Sequence, residues 1–409
     1  MTKRTVLFVD DEWNILEGLR TRLHRQRNKW EMLFAQSGHA ALEILQQGGV
    51  DVLVTDMRMP EMDGLTLLRL AQRDYPRVVR IVLSGHAELE AALRAIHVAH
   101  QFLTKPCEPG LIENTVERAC NLQSLINDDA VQKLVGKVDN LPSPPMVYSG
   151  LMVALNNEFI GTRQIADILR RDMAMCAKTL QVVNSALFQF SRVITEMEDA
   201  VAFLGYNTIR QIVLSVEVFN SHHKGRLEGA ALDALQSHAC LVGSMAARMF
   251  PDRREQEDVF IAGLLHDIGK LVLAAHLPDS VLEIQAALRS GEHTMHHAER
   301  HVLGVTHAEI GAYLLGLWGL PYPIVEAVAN HHEPRRVDSR EFGVLAGVYV
   351  ADQLIQEAMP ARPGGPLERS TLDLEYLEQL GVAKQVPEWR EMARQELQSG
   401  ARGLVSAMQ

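Results

Sequence analysis

Four short apolar runs punctuate the first 105 residues, and a residue of distinct chemistry closes each. The runs are Thr5–Val9, Val52–Thr55, Val79–Leu83 and Phe102–Thr104, closed by Asp10-Asp11, Asp56, Ser84 and Lys105. Each is short, the first three are rich in β-branched residues, and each is followed by an amphipathic stretch of helical period, which predicts buried parallel strands. Such strands build a doubly wound α/β sheet whose carboxyl ends gather in one crevice. After Lys105-Pro106 the pattern changes. From Glu108 to about Asn127 the apolar residues Leu111, Ile112, Val116, Ala119 and Leu122 recur at helical spacing and predict a helix running on as a connector. Asn127-Asp128-Asp129 and Leu141-Pro142-Ser143-Pro144-Pro145 interrupt the chain. Beyond them, to about residue 358, helical periodicity prevails and strand patterns are absent. The clearest predicted helices are Ala166–Asn184, Ile194–Leu204, Thr208–Phe219 and Leu232–Met249. A loose stretch, Met359–Pro366, precedes a charged, helix-prone tail from Leu372 that packs back or mediates contacts.

Composition narrows the class. A chain of 409 residues, 47% hydrophobic and 22% charged, has room for two or three globular domains. No apolar run reaches the ~18 residues a membrane helix needs, and the polar start passes straight into a strand. The four cysteines, Cys107, Cys120, Cys176 and Cys240, form no CxxC pair and read as reduced core residues. These features predict a cytoplasmic protein without a membrane partner. A net charge of −11 argues against nucleic-acid binding through a broad basic surface.

The crevice would hold acids, a small hydroxyl and an ammonium, the equipment for moving a phosphoryl group onto a carboxylate. Asp10, Asp11 and Asp56 cannot all stay ionised cheaply without a cation, and an all-oxygen set suits Mg²⁺. Asp56 is the expected nucleophile, able to form an acyl phosphate. Lys105 would pair with the incoming phosphate and Ser84 would donate a hydrogen bond to it. Val9-Asp10-Asp11-Glu12, Thr55-Asp56 through Asp63-Gly64, Leu83-Ser84-Gly85 and Thr104-Lys105-Pro106 resemble, in the same order, the receiver domain of bacterial two-component response regulators. The resemblance implies that Asp56 accepts phosphate from a histidine kinase or phosphotransfer protein. It also implies that Asp11, Asp56 and the Arg58 backbone carbonyl hold Mg²⁺ with Asp10 behind, and that Ser84 and Phe102 report phosphorylation.

Histidine is the second signal, because twelve of seventeen lie between His222 and His332. His266-Asp267 follows the apolar run Val259–Leu265, and adjacent His and Asp at a helix end can offer nitrogen and oxygen to one metal. Lys270, one turn on, would reach a bound anion. His238, His307, His331-His332 and Asp352 fall on further predicted helices or their ends, and converging helices can build a mono- or dinuclear site from them. By contrast, His293, His296, His297 and His301 sit among Glu292, Glu299 and Arg300 and read as solvated.

The order His238, His266-Asp267, His307, His331-His332, Asp352 is similar to the HD superfamily of metal-dependent phosphohydrolases. Val138–Pro142, Ala166–Asp172, Val183–Ala186, Ala200–Gly205 and His307–Leu315 through Trp318–Pro321 resemble the HDOD output module more specifically. The fold implied is a five-stranded, flavodoxin-like receiver followed by an all-α HD-like domain. Its divisions are a receiver over 1–125, a connector over 126–145, an HDOD domain over 130–358 and a loop with helical tail over 359–409. HDOD modules are usually regarded as signalling outputs without catalysis, and many lack the full metal set. This chain keeps every candidate ligand, which leaves two classes. One is a response regulator whose output binds an unidentified downstream protein. The other is a receiver-gated phosphohydrolase using Fe, Mn or Zn on a nucleotide or cyclic dinucleotide. After His331-His332-Glu333 the chain reads Pro334-Arg335-Arg336-Val337-Asp338, without the Gly-Tyr-Pro of the related cyclic di-GMP phosphodiesterases. Their substrate is therefore not carried over. Neither reading fixes whether the chain forms a homodimer.

Overall fold

The computed structural model describes residues 3–85, 95, 98–107, 109–125, 129–138, 141, 145–156, 160–185, 193–220, 229–289, 294–359 and 372–406. Asn127-Asp128, Asp139-Asn140, Pro142-Ser143-Pro144, Ala186, His222, Glu292-His293 and most of the loose stretch after Met359 lie outside these residues. The chain divides into two compact units. One comprises Met1–Asn140 with Gln181–Val193 and Tyr313–Leu320, the other Leu141–Leu180, Ile194–Ala312 and Pro321–Gln409.

In the first unit the expected parallel sheet is present. Strands β1 (Arg4–Val9), β2 (Trp30–Ala35), β3 (Val52–Thr55), β4 (Val79–Gly85) and β5 (Gln101–Lys105) run in the order β2-β1-β3-β4-β5. Helices α1 (Trp13–Arg22), α2 (Gly38–Gln47) and α3 (Gly64–Asp74) connect them. All four residues of β3 are buried, as continuous apolar runs require when helices cover both faces of a sheet. The edge strand β2 mixes buried, half-buried and exposed positions, so it carries no run as clean as the other four. The chain leaves β1 toward β2 on one side and returns to β3 on the other. The carboxyl ends of β1 and β3 therefore meet at the switch of direction, with Val9 beside Thr55.

Helix α4 (Pro109–Leu125) follows β5 as predicted, and α5 (Asp129–Gly136) continues the connector. Arg80, inside an apolar strand, is fully buried. It donates to the carbonyls of Val98 (2.5 Å), Val78 (3.2 Å) and Gly136 (2.8 Å). A buried guanidinium persists only when its donors are satisfied, and here the satisfaction ties the end of α5 to the sheet.

Among the described residues, the α-helices of the second unit are α6 (Pro145–Leu155), α7 (Thr162–Leu169), α8 (Met173–Val183, which ends in the first unit), α9 (Met197–Asn220), α10 (Gly229–Arg248), α11 (Arg253–Leu265), α12 (Ile268–His276), α13 (Pro278–Arg289), α14 (Met295–Leu303), α15 (His307–Leu317, likewise shared), α16 (Tyr322–Asn330), α17 (Val344–Ala358), α18 (Leu374–Gln379) and α19 (Val386–Ser406). The stretch predicted as one helix over Ala166–Asn184 is broken at residues 170–172 into α7 and α8, where buried Asp172 caps α8 by accepting from Met175 N (3.0 Å). Gly205, at φ 73° and ψ 160°, separates the halves of α9 at the predicted gap. Gly243 and Gly263 let α10 and α11 approach closely, since a Cβ on Gly263 would lie 2.8 Å from Gly243 Cα. Taken together, Arg253–His276 is long and apolar enough to cross a membrane, but 78% of its apolar stretch is buried inside the unit. The tail packs back: Trp389 of α19 stacks on Phe342, which stacks on Phe250, with ring centroids 5.0 and 5.2 Å apart.

Candidate functional site

In the first unit, the register aligns the ends of β1, β3, β4 and β5, with Thr55 beside Val82, Ser84 beside Thr104 and Gly85 beside Lys105. Asp10 and Asp56 are buried there, while Asp11 and the Arg58 side chain are exposed. Lys105 Nζ donates to Asp10 Oδ2 (2.6 Å) and to Asp56 Oδ1. Asp56 Oδ2 accepts from Arg58 N (2.7 Å), and Asp10 Oδ1 from Glu12 N (3.0 Å). Burial raises the Asp56 carboxyl above its usual range despite the opposing Lys105. Burial also works against the Lys105 ammonium, but its two carboxylate partners outweigh it and raise its pKa. Ser84 and Phe102 are both buried. The loop behind Asp56 is closed by Gly64, where a Cβ would fall 2.0 Å from the Asp56 carbonyl oxygen, and by Asp63, which caps α3 through Thr66 N (2.8 Å). The geometry presents two acids and a cation on rigid strand ends. The all-oxygen donors Asp10, Asp11 and Asp56 fit a hard divalent ion such as Mg²⁺.

In the second unit, all seven sequence-predicted ligands converge. His238 projects from α10, His266 and Asp267 lie at the α11–α12 junction, and His307 opens α15. His331 and His332 follow α16, and Asp352 lies within α17. A capping box fixes the start of α15: Thr306 N donates to Glu309 Oε2 (3.0 Å) and Glu309 N to Thr306 Oγ1 (3.3 Å). His238 Nε2 is 3.0 Å from Asp352 Oδ1, and His266 Nε2 is 3.3 Å from Asp267 Oδ2. His307 Nε2 lies 3.1 Å from Asp267 Oδ1 and 3.0 Å from His332 Nε2. Three sets have their ligand atoms within 4.8 Å of one another: His238, His266 and Asp352; His266, Asp267 and His331; and His307, His331 and His332.

Two observations show that these residues fit a cation. First, His266 Nδ1 lies 2.6 Å from the Gly263 carbonyl and His331 Nδ1 2.8 Å from that of Val328. A carbonyl only accepts, so both rings carry the proton on Nδ1 and turn Nε2 toward the cluster. Second, Asp267 Oδ1, His331 Nε2 and Asp352 Oδ2 are buried without a hydrogen bond. Atoms aimed at a common ion stand close without aligning on one another, whereas such orphans are otherwise costly. Burial would raise the Asp267 carboxyl, but His266 and Lys270 hold it well below the carboxylate range. Burial, with His266 and His307 adding to it, pushes His331 down to about 3. Mixed nitrogen and oxygen donors favour Fe, Mn or Zn over Mg²⁺.

Lys270 Nζ is committed to Asp267 Oδ2 at 2.7 Å. His296, expected to be solvated, is half-buried and stacks on His332 with ring centroids 5.0 Å apart. Glu299, from the same helix α14, is fully buried beneath His307. Neither was legible as part of the site, because α14 is polar on most of its surface and its buried face carries charge. Gln356, which donates to Asp352 Oδ1 (2.7 Å), was also missed, although it lies one helical turn from Asp352.

Comparison with known proteins matches residues 6–117 to the response regulator receiver domain and residues 141–334 to the HDOD domain. Among curated proteins, an uncharacterised protein of Treponema pallidum (strain Nichols) is 25% identical over 248 residues, covering 58% of this chain and 47% of that one. The DNA-binding transcriptional regulator NtrC of Proteus hauseri is 28% identical over 230 residues, covering 52% and 48%. The matched region thus spans about half the length of these two relatives. Among solved structures, the signal receiver domain of an HD domain-containing protein from Pseudomonas fluorescens Pf-5 is 28% identical, covering 31% of this chain and 100% of that one at a TM-score of 0.29. The MmoQ response regulator from Methylococcus capsulatus str. Bath is 18% identical, covering 62% and 98% at 0.46.

Proposed function

The chain joins a response regulator receiver domain to an HDOD domain, and we propose that it takes a phosphoryl group on Asp56 and relays that event to an HDOD output acting through protein contacts. The observation that carries the first step is the pairing of buried Asp56 and Asp10 across Lys105 at the switch point of the sheet. An Asp56 carboxylate oxygen attacks phosphorus, the P–N bond to the donor imidazole breaks, and the imidazole leaves with a proton. Mg²⁺, held by Asp11, Asp56 and the Arg58 carbonyl with Asp10 behind them, would neutralise phosphoryl oxygens in that exchange. Lys105 exchanges a carboxylate partner for a phosphoryl oxygen, and Ser84 moves to donate to another. Phe102, next to Leu103 and Thr104 on β5, rearranges with Ser84, and the change passes along α4 into α5. The donor is a histidine kinase or phosphotransfer protein, and the output partner is a downstream protein. The test is Mg²⁺-dependent labelling by a small phosphodonor, read by intact mass. Wild type should gain one phosphoryl group and Asp56→Ala none; equal labelling of the two would sink the assignment.

A second reading rests on the seven converging His and Asp side chains, which would serve a metal-dependent phosphohydrolase gated by the receiver. In that reading His266, Asp267, His307 and Asp352 would hold a cation able to activate water, and Lys270 would turn from Asp267 to an anionic substrate. Elemental analysis should find iron, manganese or zinc in wild type and none in Asp267→Ala. Metal-free wild type, purified without chelators and in low oxygen, would eliminate this reading and leave the first.

A further inference from the structure

Helix α14 carries a carboxylate that the ligand pattern does not call for. Glu299 is fully buried, and its Oε2 accepts two hydrogen bonds from one residue: His307 Nδ1 at 2.6 Å and His307 N at 2.9 Å. Its other oxygen, Oε1, is buried without a hydrogen bond. No ion pair with Lys or Arg holds this carboxylate among the described residues. A buried carboxylate is expensive, and one partnered only by an imidazole and a helix-terminal N–H is not a general stabilising device.

We propose that Glu299 is the positioning residue of the histidine cluster, fixing the orientation, tautomer and basicity of His307 for a bound transition metal. The inference rests on the metal reading above and extends it to a residue outside the ligand set. The chemistry follows from the two contacts. A carboxylate facing Nδ1 demands a proton there, so Nε2 keeps its lone pair and points at Asp267 Oδ1, 3.1 Å away, and His332 Nε2, 3.0 Å away. Two donors each about 2.0–2.1 Å from one ion, at about 90–110°, stand roughly 2.8–3.4 Å apart, a range that includes the separations here. The second contact, to the first backbone N–H of α15, holds the Glu299 carboxylate in place relative to the His307 backbone, so the acceptor facing Nδ1 is fixed and the imidazole cannot swing without losing its Nδ1 bond. The negative charge polarises the ring and makes Nε2 a stronger donor. His266 and His331 lean on neutral carbonyls for the same purpose. His307 alone of these three leans on a charge.

The experiment is a cobalt(II) titration of the full chain followed by its visible absorption, in wild type, Glu299→Gln, Glu299→Ala and His307→Ala. A proton NMR spectrum of each would observe the downfield imidazole proton that disappears in His307→Ala. Glu299→Gln keeps an acceptor and loses the charge, so cobalt affinity should fall about tenfold with that proton shifted upfield. Glu299→Ala loses the acceptor too, and affinity should fall about 100-fold with the proton lost to exchange. If Glu299→Ala fails to fold by circular dichroism, the Gln variant decides alone. Wild-type affinity and an unmoved imidazole proton in Glu299→Gln would overturn the proposal while leaving the metal site standing. A wild type that takes up no cobalt would overturn the metal reading and this inference together.

Discussion

Replacing Gly269 with alanine tests whether the histidine cluster depends on backbone contact between α12 and α15. A Cβ at Gly269 would lie 1.9 Å from the His307 carbonyl oxygen, 2.7 Å from its carbonyl carbon and 3.0 Å from Gly311 N. All three are backbone atoms, so no side chain can rotate away. To restore ordinary van der Waals contact the two helices must separate by roughly 1.5 Å. Overpacking against backbone of this kind costs about 3 kcal/mol. For a domain of this size that lowers the melting midpoint by about 6–12 °C. The consequence for the site is larger. Asp267 and His307 stand on opposite sides of this contact, 3.1 Å apart, and metal ligands tolerate only about 0.2 Å of displacement. Gly269→Ala should therefore lose at least about 100-fold in cobalt(II) affinity, beyond what weakening a single supporting contact costs. The assay pairs thermal melts of chelated wild type and variant with cobalt titrations at a temperature well below both midpoints, so that loss of fold and loss of geometry are read separately. A melting midpoint and a cobalt affinity both indistinguishable from wild type would refute the claim that this contact sets the site.

Three further outcomes are expected. Lys105→Met removes the cation shared by Asp10 and Asp56, and Mg²⁺ binding measured by calorimetry should tighten by roughly fivefold, about 1 kcal/mol for a partly exposed charge; weaker binding would contradict the competition. In chelated protein the melting midpoint should peak near pH 6.5. Burial depresses His331 to about 3 and His332 well below its usual range, so as pH falls below about 6.5 the unfolded chain gains protons that the folded one refuses. His266 and His307 are buried, but Asp267 and Glu299 hold them above that range, so their stabilisation is lost as pH rises through the folded values. A midpoint that changes monotonically across this range would show that the two pairs do not oppose each other. Gly136→Ala would place a Cβ 1.7 Å from the Pro76 carbonyl oxygen, so α5 should lift from the sheet at a cost of about 1–3 kcal/mol. Unchanged hydrogen exchange in α5 would argue against that docking.

Much of this protein was legible in its sequence because its chemistry sits where local patterns change. Asp10, Asp56, Ser84 and Lys105 each follow or end an apolar run, and in parallel sheets that position is the crevice; the strand order and register align those strand ends, where Lys105 bridges Asp10 and Asp56. His266-Asp267 likewise marks the end of the apolar run now seen as α11, whereas the capping box between Thr306 and Glu309, which sets His307 at the head of α15, emerged only with the structure. The edge strand β2 gave a weaker pattern because only part of its surface is covered. Tertiary structure alone decided the rest. Whether a polar residue such as Glu299, His296 or Arg80 faces water or an interior partner depends on which distant backbone lies opposite. Composition around Glu299 and His296 suggested solvent, while α15 and His332 made those positions a wall of the site. The sequence specified which groups were available and at which ends of which elements. Packing determined which orphaned oxygens and nitrogens face one another, because that depends on helix approaches, such as those at Gly243, Gly263 and Gly269, between segments far apart in the chain.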